Sequence, residues 1–201
     1  MALTESQINH FENLQKRFLN IENSPRCTLS CPICKRATYF QLNNTDTVPG
    51  RDFTLEDLEK CLKYFKKITF CGQLSDPIFN KDLIEMLGVC HRNNIETRVN
   101  TAATGRKKDW YRKAFLANPN AIWTFGIDGP AFLSNRYRKN QDGEHLFNMM
   151  LLAKEMNIWT VWQYIIFPYN EEYVNECKQF AIKHGIYMNL IYSQRDSSKK
   201  I

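Results

Sequence analysis

Cys27-Thr28-Leu29-Ser30-Cys31-Pro32-Ile33-Cys34 is the stretch on which the reading of this chain turns. It sets three thiols at C-x3-C-x2-C, directly after a short apolar segment, Phe18-Leu19-Asn20-Ile21. Three cysteines this close on one irregular loop cannot all pair with one another, so the spacing argues for a metal rather than disulfides. A four-iron cubane is usually held by four cysteines, so three would leave one iron open to a small molecule. A zinc knuckle fits the turn at Pro32 equally well but requires a fourth ligand. Spacing alone leaves the cluster and zinc level.

Around this loop the chain reads as one folded unit. It has 201 residues, 43% of them hydrophobic, enough to bury a core without disulfide staples. The net charge of +6 favours anionic partners without being a nucleic-acid signature. Seven cysteines are an odd count, and the N-terminus lacks a basic-then-apolar signal pattern. The most apolar run, residues 159–167, is far short of the ~20 residues of a spanning helix. A soluble, cytoplasmic, reduced protein without membrane contact is expected.

Local patterns then alternate. Thr4 and Gln7 form a capping-box pattern, and Ile8, Phe11 and Leu14 follow at helical spacing, predicting an N-terminal helix to about residue 16. Strands are predicted over residues 18–21, 67–71, 96–100, 121–127, 158–167 and 186–193. Helices are predicted over 81–91, 109–116, 143–156 and 171–184, with another capped by Thr54. Residues 41–51 read as a loop, Asn170 as a helix cap and 194–201 as a charged tail. Helices between strands imply a parallel sheet with right-handed crossovers. Six strands are too few for a closed eight-stranded barrel, so the expected fold is α/β, an open partial (β/α)6 barrel over residues 1–193.

Ligands of such sheets bind at the carboxyl ends of the strands, and unusual residues gather there. The cysteine loop follows the first strand. Gly72-Gln73-Leu74-Ser75-Asp76-Pro77 follows the second, Asn100-Thr101 ends the third, and Gly126-Ile127-Asp128-Gly129-Pro130 ends the fourth. On the fifth, Gln163 and Tyr164 point to opposite faces, so only one of them can line a cavity. Trp159 and Trp162 read as packing. Cys61, Cys71, Cys90 and Cys177 lack C-x-x-C pairing; Cys61, Cys90 and Cys177 read as small buried hydrophobes. The four histidines have no partner at helical spacing, and Arg106-Lys107-Lys108 reads as a solvated helix start, so nucleic acid is not the favoured partner.

Ile21-Glu22 leading to Cys27, Cys31 and Cys34 resembles the cluster loop of the radical S-adenosylmethionine enzymes, in particular the branch related to SPASM-type maturases. The resemblance extends over about residues 19–191 and stops where relatives carry a further cysteine-rich domain. It implies a [4Fe-4S] cluster on Cys27, Cys31 and Cys34, with the amino and carboxylate groups of S-adenosylmethionine chelating the fourth iron. Reductive cleavage would then give a 5′-deoxyadenosyl radical that abstracts hydrogen from substrate. The 72–77 segment is similar to the family's glycine-rich loop, with Cys71 and Ser75 where glycines often stand. Gly126 stands where a serine commonly meets the ribose, and Ile33 where an aromatic precedes the third cysteine. Asn135-Arg136-Tyr137-Arg138 looks like an element whose arginine steadies the cofactor; a guanidinium fork suits carboxylate. By this resemblance Gly72, Gln73, Asp76, Asn100, Asp128, Arg138 and Gln163 contact the cofactor. Asp128 could instead hold a backbone turn. The substrate, a peptide, sugar or nucleotide, stays open; the expected electron donor is a low-potential flavodoxin or ferredoxin. The other reading is a zinc- or cluster-stabilised binding module without radical chemistry.

Overall fold

The computed structural model describes residues 4–6 and 18–193. Glu5 and Ser6 are helical; the rest of the expected N-terminal helix, with Ile8, Phe11 and Leu14, and the expected tail 194–201 lie outside the described residues. Six strands follow in chain order: β1 (Phe18–Glu22), β2 (Lys67–Cys71), β3 (Glu96–Thr101), β4 (Ile122–Gly126), β5 (Trp159–Ile166) and β6 (Tyr187–Tyr192). The helices are α1 (Lys35–Asn43), α2 (Leu55–Leu62), α3 (Leu83–Arg92), α4 (Lys108–Ala117), α5 (Gly143–Glu155) and α6 (Val174–Lys183).

All neighbouring strands pair in parallel, in the order β1-β2-β3-β4-β5-β6. The sheet is open at β1 and β6, as six strands predict. Because side chains alternate along each strand, one face carries the apolar series Ile68, Phe70, Val99, Trp123, Phe125, Trp162 and Tyr164, all buried. Leu87, Cys90, Tyr111, Phe115, Leu146 and Met150 from the helices join them in one core. Phe115 meets Trp123 edge to face at 5.0 Å, and Trp162 anchors its indole by donating to Ile127 O at 2.8 Å. Each buried side chain of this size contributes roughly 1.5–3 kcal/mol.

Alternation sends the polar residues Thr69, Asn100, Thr124, Gln163 and Asn189 to the other face, where each is half-buried. Trp159 shares that face at the start of β5 and is 66% exposed, contrary to the packing role expected of it. Gln163 lies on the cavity side, while Tyr164 is buried and donates to Asn170 O at 2.5 Å.

The expected capping box at Thr54 forms: the Thr54 hydroxyl accepts from Asp57 N, and the Asp57 carboxylate accepts from Thr54 N at 2.9 Å. Gly185 ends α6 at φ +61°, the left-handed geometry of a C′ glycine. Two further local expectations fail. Residues 41–43 belong to α1, not to a loop; this helix has no fully buried residue, and its apolar residues mark one side only weakly. Asn170 makes no side-chain cap; its amide donates to Asp128 O and Ile165 O and its carbonyl accepts from Phe167 N. Among the described residues no helix is long and apolar enough to cross a membrane.

Candidate active site

The segments that follow the strands converge at their carboxyl ends on a cavity of about 490 Å³. Cys27, Cys31 and Cys34 line it, together with Gly72, Gln73, Asp76, Asn100, Gly126, Arg138 and Gln163. Nine of the ten residues singled out from the sequence therefore share one space; Asp128 does not line it.

The cysteine loop has no regular structure of its own and is held by polar contacts to its surroundings. Arg26 O accepts from Asp76 N at 2.9 Å, Ser30 N donates to Lys139 O at 3.0 Å, and the Thr28 hydroxyl donates to Thr104 O at 3.1 Å. Arg26 pairs with Asp52 at 2.6 Å and donates to Phe79 O. The Arg36 guanidinium donates to the carbonyls of Cys27 and Leu29. Cys34 is the last extended residue before α1 begins at Lys35. All three thiols are half-buried, and none of the seven cysteines forms a disulfide. Burial pushes the Cys27 thiol up to about 12, and nearby Asp76 adds to the rise.

The glycine loop is fixed by a residue that sequence reading had not placed in the site. Glu22, the last residue of β1, stands in register with Cys71, and its carboxylate accepts from the backbone N–H groups of Gln73 and Leu74. A Cβ on Gly72 would come within 2.0 Å of Ser75 O, so only glycine closes this turn. Gln73 is drawn toward the cysteine loop: its side-chain oxygen accepts from Lys35 Nζ at 2.8 Å.

Asp76 faces inward but is already occupied. Its carboxylate accepts from the Thr101 hydroxyl at 2.8 Å, from Ala102 N and Ala103 N at 2.9 Å, and from Ile78 N at 3.2 Å. Burial raises its pKa, and these four donors oppose the rise. Asp76 thus fastens the end of β3 to the glycine loop.

Asp128 is fully buried behind the cavity wall and pairs with Arg138, whose Nε lies 2.8 Å from Oδ2 and whose Nη2 donates to Oδ1 at 3.3 Å. Asp128 also accepts from Ile165 N at 2.9 Å. Of the two roles weighed for it, backbone anchoring and pairing with Arg138 are what the geometry shows. Burial alone would lower the pKa of Arg138; Asp128 outweighs this and keeps the guanidinium firmly charged. A Cβ on Gly126 would sit 3.0 Å from Arg138 Nη2 and 3.1 Å from the Ala102 methyl, so a serine here would crowd the arginine. Gln141, also unforeseen, donates to Ala102 O at 2.6 Å and Gly126 O at 2.9 Å and so bridges the ends of β3 and β4.

Among the described residues, no three His, Cys, Asp or Glu side chains converge closely enough to hold one metal ion. The three half-buried thiols line a cavity large enough for an organic ligand.

The sequence matches no protein-family profile and no curated protein. Solved structures do match. SuiB of Streptococcus suis bound to S-adenosylmethionine superposes at TM-score 0.74, with 15% identity over 96% of this chain and 46% of that chain. Native anSMEcpe with bound AdoMet matches at TM-score 0.66 and 16% identity, over 87% of this chain and 50% of that one. Methylornithine synthase (PylB) matches at TM-score 0.63 and 11% identity, over 95% and 61%. SuiB has also been solved with precursor peptide SuiA, and anSMEcpe with the Cp18Cys peptide. The chain spans about half the length of SuiB and anSMEcpe and 61% of methylornithine synthase. At such identities the likeness is one of fold: the chain has the open, six-stranded partial barrel of the radical S-adenosylmethionine enzymes.

Proposed function

We propose that this chain is a radical S-adenosylmethionine enzyme core, with Cys27, Cys31 and Cys34 as ligands of a [4Fe-4S] cluster. The observation that carries the reading is the meeting of all three thiols with the glycine loop, Asn100, Arg138 and Gln163 around one cavity at the strand ends. When bound, the cluster and S-adenosylmethionine would supply one-electron cleavage of a sulfur–carbon bond, giving methionine and a 5′-deoxyadenosyl radical.

The chain's own residues orient and enclose. The exposed Gly72 backbone offers hydrogen bonds to the cofactor's polar groups, with Glu22, which takes the Gln73 and Leu74 N–H groups, and Asp76 holding that loop still. Arg138, locked by Asp128, presents a fixed positive charge to a carboxylate or ribose hydroxyl. Asn100 and Gln163 supply amides on the cavity lining. Asp76 and Asp128 hold the walls through their contacts to Thr101, Ala102, Ala103, Arg138 and Ile165. Among peptide, sugar and nucleotide substrates a peptide is favoured, because SuiB and anSMEcpe have each been solved with one. The electron would come from a low-potential flavodoxin or ferredoxin in a reduced, cytoplasmic setting.

Anaerobic reconstitution with iron and sulfide, then reduction with S-adenosylmethionine present, tests the reading. Release of 5′-deoxyadenosine and methionine is the expected result. A colourless protein holding one zinc, or a loaded cluster that leaves S-adenosylmethionine intact, would overturn it in favour of a binding module.

A further inference from the structure

We infer that Arg36 is a positioning residue: its guanidinium closes the cysteine loop around Cys27 and sets the environment of that ligand. The inference rests on the proposed cluster, but the geometry behind it belongs to the chain alone.

Lys35 and Arg36 open α1, and no acidic residue shares its first turn. Two cations at a helix N-terminus oppose the helix dipole, so neither is there to stabilise the helix. The Arg36 guanidinium lies between the Phe40 ring of its own helix and the cysteine loop. Nη1 donates to Cys27 O at 2.6 Å and Nη2 donates to Leu29 O, while the guanidinium carbon lies 5.6 Å from the centroid of the Phe40 ring. One rigid fork thus spans two carbonyls of the loop and ties its first cysteine to the residue two places beyond its last.

The second carbonyl matters chemically. It belongs to Leu29, whose own N–H donates to Cys27 Sγ at 3.4 Å. By holding Leu29 O, Arg36 fixes a residue whose amide points at a ligand sulfur. Hydrogen bonds to sulfur and nearby positive charge both favour the reduced, more negative state of an iron–sulfur cluster and raise its potential. Arg36 also lines the cavity, so its charge lies on the side where the cluster would sit. Lysine cannot replace it, since a single ammonium does not reproduce the planar fork that spans both carbonyls.

The test compares wild type with Arg36→Lys and Arg36→Met, first without metal. Amide exchange at Leu29 and Ser30 in the apo chain should quicken in both variants, while exchange in β4 and β5 stays unchanged. After anaerobic reconstitution, loss of iron to a chelator should accelerate on the order of 10-fold or more, as for other residues that orient metal ligands. The cluster potential, read by EPR-monitored redox titration, should fall in Arg36→Met and fall less in Arg36→Lys, which keeps the charge. If Arg36→Met does not fold, Arg36→Lys carries the comparison. A wild-type chain that takes up no iron overturns the reading of the site and this inference with it. A wild type that loads, with variants matching it in exchange, chelator resistance and potential, overturns the inference alone.

Discussion

The two walls of the cavity are built on different principles. On the β1–β2 side the lining consists of irregular loops whose thiols are half-buried, held by side chains bonded to backbone: Arg36 and Glu22 grip the loops, and Arg26 and Thr28 reach out from the cysteine loop to Phe79 O and Thr104 O. On the β4–β5 side the lining is backed by a buried ion pair, Asp128–Arg138, and by amides of Gln141 and Asn170 with several partners each. One wall keeps thiols accessible to an incoming metal; the other holds a charge in place before any ligand arrives. The difference implies that damage to the first wall should abolish loading with little effect on folding, whereas damage to the second should unfold the chain.

The largest effect should follow Cys34→Ala. The substitution removes a 3.8 Å approach of the half-buried Cys34 thiol to Gln73 O, so apo stability should stay within about 0.5 kcal/mol of wild type. Iron uptake should nevertheless collapse from about four per chain, the content of a cubane. Iron analysis and thermal melts of the apo protein read both; a large drop in melting temperature would break the contrast between the walls.

Asp128→Asn is the counterpart on the other wall. It leaves Arg138 buried without an anion, a change that costs about 3–5 kcal/mol, readable by urea unfolding of the apo chain. Gln141→Leu should cost less, about 1–3 kcal/mol, because it strands the carbonyls of Ala102 and Gly126. Both should unfold the chain more easily before they touch cluster chemistry.

The smallest effect is one of pH, and it lies in the helical layer outside both walls. Burial pushes the Cys90 thiol up to about 11. The unfolded thiol ionises near its ordinary value while the folded one does not. The stability from this group is therefore complete below about pH 9 and drains away as pH rises toward 11. By pH 10 the loss should reach about 1–1.5 kcal/mol. Melts of the apo chain between pH 7 and 10 check it, and Cys90→Ala, starting from lower stability, should fall less steeply.

Much of this could be read from the sequence because strand periodicity and strand-end chemistry are both local signals. Ile68, Phe70, Val99, Trp123 and Phe125 alternate with polar residues, which placed the strands, and the cysteine spacing, Gly72 and Arg138 mark the ends that meet at the cavity. What escaped had no local signature. Helix α1 has no fully buried residue, and its apolar residues Ala37, Tyr39, Phe40 and Leu42 form only a weak one-sided pattern. Glu22, Arg36 and Gln141 act on backbone groups distant in sequence or hidden by the loop's shape, and an isolated Glu, Arg or Gln gives no hint of which carbonyl or amide it will meet. Register offered one clue: Glu22 closes β1 opposite Cys71, immediately before the glycine loop. Asp128 was placed at the correct strand end, but its direction, behind the wall rather than into the cavity, depends on the fold of residues 130–138.

The most direct test asks whether one iron is open to S-adenosylmethionine. Reconstituted protein, reduced under anaerobic conditions, is examined by EPR before and after the cofactor is added. The account predicts a four-iron signal that changes line shape on addition, and no such signal from Cys27→Ala, Cys31→Ala or Cys34→Ala. A spectrum indifferent to S-adenosylmethionine, or a wild-type chain that assembles no cluster, would contradict it.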